Sequence, residues 1–202
     1  FSQGAALRDP MLARAMAGGE EGRRTVAEEG ARLVKAWRDL AMPTVVAASG
    51  NILGAGACLF SAADLRFASA DAALRFPEVD RGMHLSWGIL PELVQTLGVS
   101  WTKRLVLGGD VCQGAELPSG FARLGEGPDE TREMAASAAR RLCQKAPLAV
   151  KAVKAALREI ADGDLEVASR DAERFVQTTG SKDFREAVQA FLEKRPPKFT
   201  GE

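Results

Sequence analysis

The chain has 202 residues, of which 46% are hydrophobic and 27% charged, a composition typical of one globular domain with a substantial core. Its 27 basic residues balance its 27 acidic residues, so no field of one sign favours nucleic acid or an anionic membrane as a partner. No apolar run approaches the length of a transmembrane helix.

The early part of the chain is predicted to alternate strands and helices. An amphipathic helix is predicted over residues 23–40, where apolar residues recur at helical spacing, and a loop precedes it at 17–22. The β-branched run 44–46 indicates a buried strand, and a turn is predicted at 49–51. An apolar helix opened by Gly54-Ala55-Gly56 comes next, followed by strands over 64–68 and 72–76.

The rest of the chain is predicted to be helical, apart from a loop rich in Gly and Pro at 114–128. The predicted helices cover residues 90–97, 102–107, 129–144, 148–161, 165–178 and 183–192. Strands that alternate with helices and then give way to helices alone indicate the α/β class. We therefore expect an α/β core over residues 1–135 and a helical region over 136–202.

The cysteines offer no cross-linking pattern. Cys58, Cys112 and Cys143 are widely spaced, without the spacing of metal ligands or of a disulfide framework. A reducing cytoplasm is therefore the expected location. The chain starts without Met and without a signal peptide, and we expect its true N-terminus to lie upstream of Phe1.

The segment Gly54-Ala55-Gly56 has the composition of an anion site. Small residues allow a ligand to approach the backbone, and the first amides of a helix have no acceptor within it. Such amides bind an anion, or an oxygen that becomes one during a reaction. Close packing of the helix on the preceding strand is the structural alternative for a glycine pair of this kind.

Four motifs stand in an order that resembles the crotonase superfamily, also called the enoyl-CoA hydratase/isomerase family. Residues 1–7 are similar to its F-x-x-G-A-D-L motif, and residues 43–64 to its P-x-x-A-x-x-G-x-x-x-G-G-G segment. Phe76-Pro77-Glu78-Val79 with Gly82 resembles P-E-x-x-x-G, and residues 190–195 resemble A-F-x-E-K-R. The resemblance covers essentially the whole chain.

The resemblance implies an α/β fold with a spiral core of ββα units, followed by a C-terminal helical trimerisation region. It implies a homotrimer or a dimer of trimers, and it implies that an opening ββα part of the fold is missing from this chain. The expected substrate is an acyl-CoA or enoyl-CoA thioester. No cofactor is expected beyond the coenzyme A of that substrate, and no nucleic acid or membrane partner.

The resemblance also assigns catalytic roles. It places an oxyanion hole on the backbone N–H groups of Ala5 and Ala55, and an acid–base carboxyl on Glu78. Family hydratases carry a second glutamate three residues after the second oxyanion donor, where this chain has Cys58. Hydration needs a water molecule held between two carboxylates, whereas moving a double bond needs only one base.

The residues therefore favour isomerase-type chemistry on Glu78. Enoyl-CoA hydratase activity is the main alternative, and a catalytically weak member that binds acyl-CoA or serves as a scaffold is a further one. Cys58 has two readings, a nucleophile that would form an acyl-thioester intermediate and a small buried apolar residue.

The remaining site predictions concern substrate contacts. Gly54, Gly56, His84 and Trp87 are expected at the substrate pocket, although core packing is an equally good account of His84 and Trp87. Coenzyme A contacts are expected from a further set of residues in the first motif and the tail: Ser2, Arg8, Phe191 and Lys194.

Overall fold

The computed structural model describes residues 1–6 and 8–202, and this part of the chain divides into two compact units. The first unit comprises Phe1–Leu40 and Thr44–Ala136, and the second comprises Ala41–Pro43 and Ser137–Glu202. The F-x-x-G-A-D-L-like motif therefore lies in the first unit, although its Leu7 falls outside the described residues.

The first unit begins with two consecutive helices, α1 (Pro10–Ala17) and α2 (Gly19–Arg38). The Asp9 carboxylate caps α1 by accepting the amides of Met11 and Leu12 at 2.8 and 3.1 Å. The loop predicted at 17–22 is wrong, because only Gly18 separates the two helices. The signal for α1 was an N-cap Asp followed by Pro at the first helical position.

The described residues of this unit form two three-stranded sheets. The first sheet has the order β1 (Val45–Ala48), β3 (Leu65–Ser69), β6 (Arg123–Gly125), with parallel pairing throughout. The second has the order β2 (Asn51–Leu53), β4 (Ala73–Arg75), β5 (Cys112–Gln113), of which β2 and β4 are parallel and β5 antiparallel.

The three predicted strands are confirmed, whereas β2, β5 and β6 were not predicted. The strands expected at 44–46, 64–68 and 72–76 correspond to β1, β3 and β4. The turn predicted at 49–51 is wrong at its last residue, because Asn51 begins β2 and pairs with Ala73. The loop predicted at 114–128 contains a 3₁₀ turn, Gly114–Glu116, and the strand β6.

Helix α3 (Ala55–Ser61) follows β2 directly, and α4 (Leu90–Val106) follows a 3₁₀ turn at Val79–Arg81. Gly98 interrupts α4 with φ 78° and ψ 163°, which accounts for the two separate helices predicted at 90–97 and 102–107. The core of this unit is apolar, and Phe60 meets the ring of Phe121 edge to face at a centroid distance of 6.0 Å.

The second unit consists of helices and a 3₁₀ turn, and the helix predicted over 165–178 starts too early, because residues 167–170 form the 3₁₀ turn. It contains the C-terminal part of α5 (Pro128–Cys143), α6 (Pro147–Ala161), a 3₁₀ turn at Val167–Arg170, α7 (Asp171–Thr179) and α8 (Lys182–Leu192). The buried Asp183 carboxylate accepts the amides of Thr200 and Gly201 at 2.7 and 2.9 Å. These bonds hold the last residues of the chain against α8.

Helices α6, α7 and α8 also expose many apolar side chains. These are Val153, Leu157, Ile160, Phe175, Val176, Phe184, Val188, Phe191 and Leu192, of which Phe191 is 82% exposed. None of the described helices combines the length and the apolar character that crossing a bilayer requires. A surface in contact with water rarely carries as many apolar side chains as these helices expose.

Candidate active site

The chain's first residues pair with β2 and thereby place Ala5 beside Ala55. Ser2 forms a parallel bridge with Ile52: its amide donates to the Asn51 carbonyl at 2.8 Å, and its carbonyl accepts the Leu53 amide at 3.0 Å. In a parallel pair both chains run in the same direction, so residues at equal distances after Ser2 and Ile52 stay close to each other. The two segments predicted to form the oxyanion hole are thus brought together.

Glycine at position 4 allows this close approach. Gly4 has φ +88°, and a Cβ atom at this position would stand 3.1 Å from the Leu53 carbonyl oxygen and 3.8 Å from the Ala55 nitrogen. Ala55 is the first residue of α3, so its amide has no acceptor within the helix. The Gly4 backbone therefore lies next to the first amide of α3.

Glu78 faces the same backbone. A Cβ atom added to Gly54 would stand 3.1 Å from Glu78 Oε1, so glycine at 54 leaves the space that the carboxylate occupies. The Glu78 carbonyl accepts the amides of Arg81 and Met83 at 3.0 and 2.9 Å, which holds the residue at the start of the 3₁₀ turn. The Glu78 backbone is thereby held in place, and its carboxylate lies next to the start of α3.

The environment of Glu78 suits a base. Its Oε2 atom is buried and has no hydrogen-bond partner among the described residues. Burial raises the pKa of the Glu78 carboxyl above its ordinary value, and a hydrogen bond with its own backbone and the charge of Arg81 partly oppose this rise. A carboxyl of this kind exchanges protons closer to neutral pH than a solvated glutamate does.

Cys58 lies beside Glu78 and is almost completely buried, at 1% exposure. Burial, together with the negative charge of Glu78, raises the pKa of the Cys58 thiol to about 12. The thiol therefore stays protonated at physiological pH, and a protonated thiol is a poor nucleophile. Of the two readings of Cys58, the geometry supports the small buried apolar residue.

These groups line one cavity of about 370 Å³. Among the described residues around it, Glu78 alone carries a carboxyl group. The predicted residues that line it are Ala5, Gly54, Ala55, Cys58, Glu78, His84 and Trp87. The lining residues contributed by α1 and α2 were not predicted, namely Leu12, Met16, Arg23, Val26 and Ala27. Those not predicted elsewhere are Gln3, Gly4, Arg81, Met83, Leu85 and Ser86.

The missed residues of α2 share one face of the helix. Arg23, Val26 and Ala27 are spaced by three and four positions, a pattern that places side chains on one side of a helix and was readable in the sequence. What that pattern lacked was any indication that this face meets the cavity rather than the core.

The whole chain, residues 1–202, matches the profile of the family described as Enoyl-CoA hydratase/isomerase. The chain belongs to the enoyl-CoA hydratase/isomerase family. This assignment confirms the resemblance to the crotonase superfamily that the four motifs indicated.

Individual members of the enoyl-CoA hydratase/isomerase family support the assignment. A Bacillus subtilis (strain 168) protein named "Probable enoyl-CoA hydratase" is 29% identical over 208 residues, covering 100% of this chain and 78% of the relative. The 2,3-dehydroadipyl-CoA hydratase of Escherichia coli (strain K12) is 29% identical over 161 residues, covering 79% of this chain and 63% of the relative.

A solved structure confirms the fold of this family member. The crystal structure of enoyl-CoA hydratase from Bacillus anthracis superimposes with a TM-score of 0.85 at 26% identity, covering 91% of this chain and 72% of that chain. The α/β crotonase fold expected from the motifs is thus present.

Two predicted residues of this family member lie away from the cavity. Gly56 packs against Ser2, since a Cβ atom on Gly56 would stand 2.3 Å from Ser2 Cβ and 2.6 Å from its Oγ. Neither residue lines the cavity, and Ser2 Oγ accepts the Gly4 amide at 3.1 Å. Gly56 thus packs against Ser2, and Ser2 supports the turn that leads to Ala5. Their predicted ligand contacts remain predictions.

The other predicted coenzyme A contacts are exposed. Arg8 lies on the surface of the first unit and does not line the cavity. In the second unit, Phe191 lies in the last turn of α8 and Lys194 follows the helix, and both are solvent-accessible. Their predicted roles remain predictions.

Proposed function

We propose that this chain acts on enoyl-CoA thioesters as an isomerase-type enzyme with one catalytic glutamate. The proposal rests on one observation: Glu78 is the sole carboxyl among the described residues that line the cavity. Cys58 occupies the position where hydration would need a second carboxyl. The neutral thiol offers no substitute for that carboxylate.

The proposed reaction conserves all atoms of the substrate. In a 3-enoyl-CoA, the Glu78 carboxylate takes a proton from C2, and the electron pair of that C–H bond delocalises onto the thioester oxygen. The N–H groups of Ala5 and Ala55 stabilise this oxyanion; one such donor is typically worth about 3 kcal/mol of the barrier. Glu78 then returns the proton to C4, and the double bond lies between C2 and C3.

Hydration is the alternative, and the names of relatives favour it. The Escherichia coli protein reported above is named a hydratase. Addition of water across C2–C3 would have to proceed in this cavity with Glu78 serving as both base and acid. A catalytically weak member that binds acyl-CoA is the further alternative, and the loss of the second carboxylate supports it.

Purified protein offered 2-enoyl- and 3-enoyl-CoA separates these functions. We expect conversion of 3-enoyl-CoA to the conjugated 2-enoyl product, read by absorbance, with no gain of water by mass spectrometry. Glu78→Gln should abolish turnover, whereas Glu173→Gln, at an exposed position on α7, should leave it unchanged. Rapid water addition that survives Glu78→Gln contradicts the single-base proposal, and binding without turnover of either substrate favours the weak member.

We further propose that copies of this chain assemble through α6, α7 and α8 into a homotrimer or a dimer of trimers. The apolar side chains exposed on these helices support the proposal, because a solvated surface rarely carries so many. In such an assembly Phe191 and Lys194 would contact the coenzyme A held by a neighbouring copy. Sedimentation analysis tests this assembly, and a monomer at all concentrations contradicts it.

A further inference from the structure

Trp87 has a backbone conformation that bulky residues rarely adopt. Its φ is +67°, and the following residue, Gly88, has φ +69°. A positive φ at a bulky residue is an outlier that persists only when surrounding structure holds it. Leu85 and Ile89, which are 4% and 0% exposed, anchor the chain in the core on either side. The strained backbone at Trp87 is therefore held in place by the buried residues on both sides of it.

The Trp87 indole lies directly on helix α2 at Gly30. A Cβ atom at Gly30 would stand 1.9 Å from Trp87 Nε1, 2.1 Å from its Cε2 and 2.2 Å from its Cδ1. The ring therefore occupies the space that any other residue at position 30 would fill. Gly30 is buried, so the ring covers it completely on this side of the helix.

The same ring lines the cavity that contains Glu78. Val26 and Ala27 line it too, and they precede Gly30 by one helical turn on the same face of α2. Leu85 adds to this wall. The indole thus continues the apolar wall of the cavity that also contains Glu78, and it reduces the volume open to a ligand there.

We propose that the Trp87 ring, seated on Gly30, limits the length of the acyl chain that this site accepts and selects short-chain acyl-CoA thioesters. The inference rests on the proposed function, since it assumes that the cavity receives the acyl group. In this proposal the Trp87 ring blocks longer acyl chains and takes no part in proton transfer.

Calorimetric binding of butyryl-, octanoyl- and lauroyl-CoA tests the inference, because saturated chains bind without reacting. For the wild-type protein we expect butyryl-CoA to bind at least about tenfold more tightly than lauroyl-CoA, since each excluded methylene costs affinity. Trp87→Ala should reduce or reverse this ratio by about tenfold or more. Trp101→Ala is the matched control: Trp101 is also half-buried against the core but does not line the cavity.

A second substitution tests the contact between the Trp87 ring and Gly30. Gly30→Ala introduces a Cβ atom where the indole lies, so the ring must move away from α2. Residue 30 itself does not line the cavity. The preference for butyryl-CoA should nevertheless change, because the ring moves. If Trp87→Ala does not fold, as judged by circular dichroism, Trp87→Phe replaces it and should shift the ratio in the same direction.

The outcomes separate the inference from the proposed function. A chain-length ratio that is the same in the wild type and the folded Trp87 variant overturns the inference, while acyl-CoA binding itself still supports the proposed function. Absence of binding to all three thioesters overturns both.

Discussion

The carboxylate of Glu78 lies against the backbone of Gly54, with Oε1 only 3.1 Å from the point where a Cβ atom of residue 54 would stand. Gly54 also has φ 51° and ψ −117°, outside the regions open to L-residues. One glycine thus serves two purposes: it leaves room for the carboxylate, and it turns the chain into α3, whose first residue, Ala55, lines the cavity.

Gly54→Ala should therefore reduce kcat/KM severely. The added methyl group displaces the Glu78 carboxylate and disturbs the Ala55 donor, and loss of one such donor alone typically costs about 10²–10³ in rate. Gly50→Ala is the matched control, because Gly50 has a similar φ of +59° but open space around its Cβ position. The control should lose stability and retain activity; equal activity losses in both variants would contradict the proposed placement of Glu78.

The pH dependence of activity should reflect the buried state of Glu78. Because burial raises the pKa of its carboxyl, kcat/KM should rise with pH through a midpoint above the ordinary glutamate value of 4.5. A pH–rate profile of 3-enoyl-CoA isomerisation measures this midpoint. A midpoint at or below the ordinary value would mean that Glu78 is solvated in the working enzyme or is not the base.

The same raised pKa has a consequence for folding. A carboxyl whose pKa is higher in the folded state favours folding most below its unfolded pKa, and this contribution is lost as pH rises through the folded pKa. Glu78→Gln removes this dependence. The melting temperature of the variant minus that of the wild type should therefore be larger at mildly alkaline pH than near pH 4. Thermal denaturation monitored by circular dichroism measures both melting temperatures.

Thiol labelling should distinguish the cysteines. Cys143 is exposed, whereas Cys58 is buried and burial raises its pKa to about 12. An alkylating reagent at neutral pH should modify Cys143 first and reach Cys58 only after unfolding, as followed by peptide mass spectrometry. Cys58→Ala should keep isomerase activity within a few-fold of the wild type. Rapid labelling of Cys58 in the folded protein, with activity lost in parallel, would restore the nucleophile reading.

The break in α4 should depend on glycine. Gly98 has φ 78° and ψ 163°, a region used almost exclusively by glycine, and its Cβ position meets nothing within 4 Å. Gly98→Ala should therefore destabilise the protein by about 1–3 kcal/mol through backbone strain alone. Gly120→Ala, also in open space but without a positive φ, should leave the free energy of unfolding unchanged or slightly raised in urea denaturation.

Local patterns in the sequence determined much of this protein. The helical spacing of apolar residues predicts α2 and α4–α8, and the β-branched run at 44–46 predicts β1, because these patterns reflect hydrogen bonding and burial within a few residues. The motifs around Gly54 and Glu78 indicated the family, which the family profile confirms. They also predicted that Glu78 is the catalytic carboxyl, which remains a proposal.

The tertiary structure decided what depends on contacts between distant residues. The parallel bridge of Ser2 with Ile52 places Ala5 beside Ala55, and no local pattern specifies which strand the first residues join. The state of Cys58 follows from its burial next to Glu78, a residue on another element. The seat of the Trp87 ring requires the missing Cβ of Gly30. Register, burial and the filling of space arise only when separate elements pack, so they lie beyond the periodicity of any one segment.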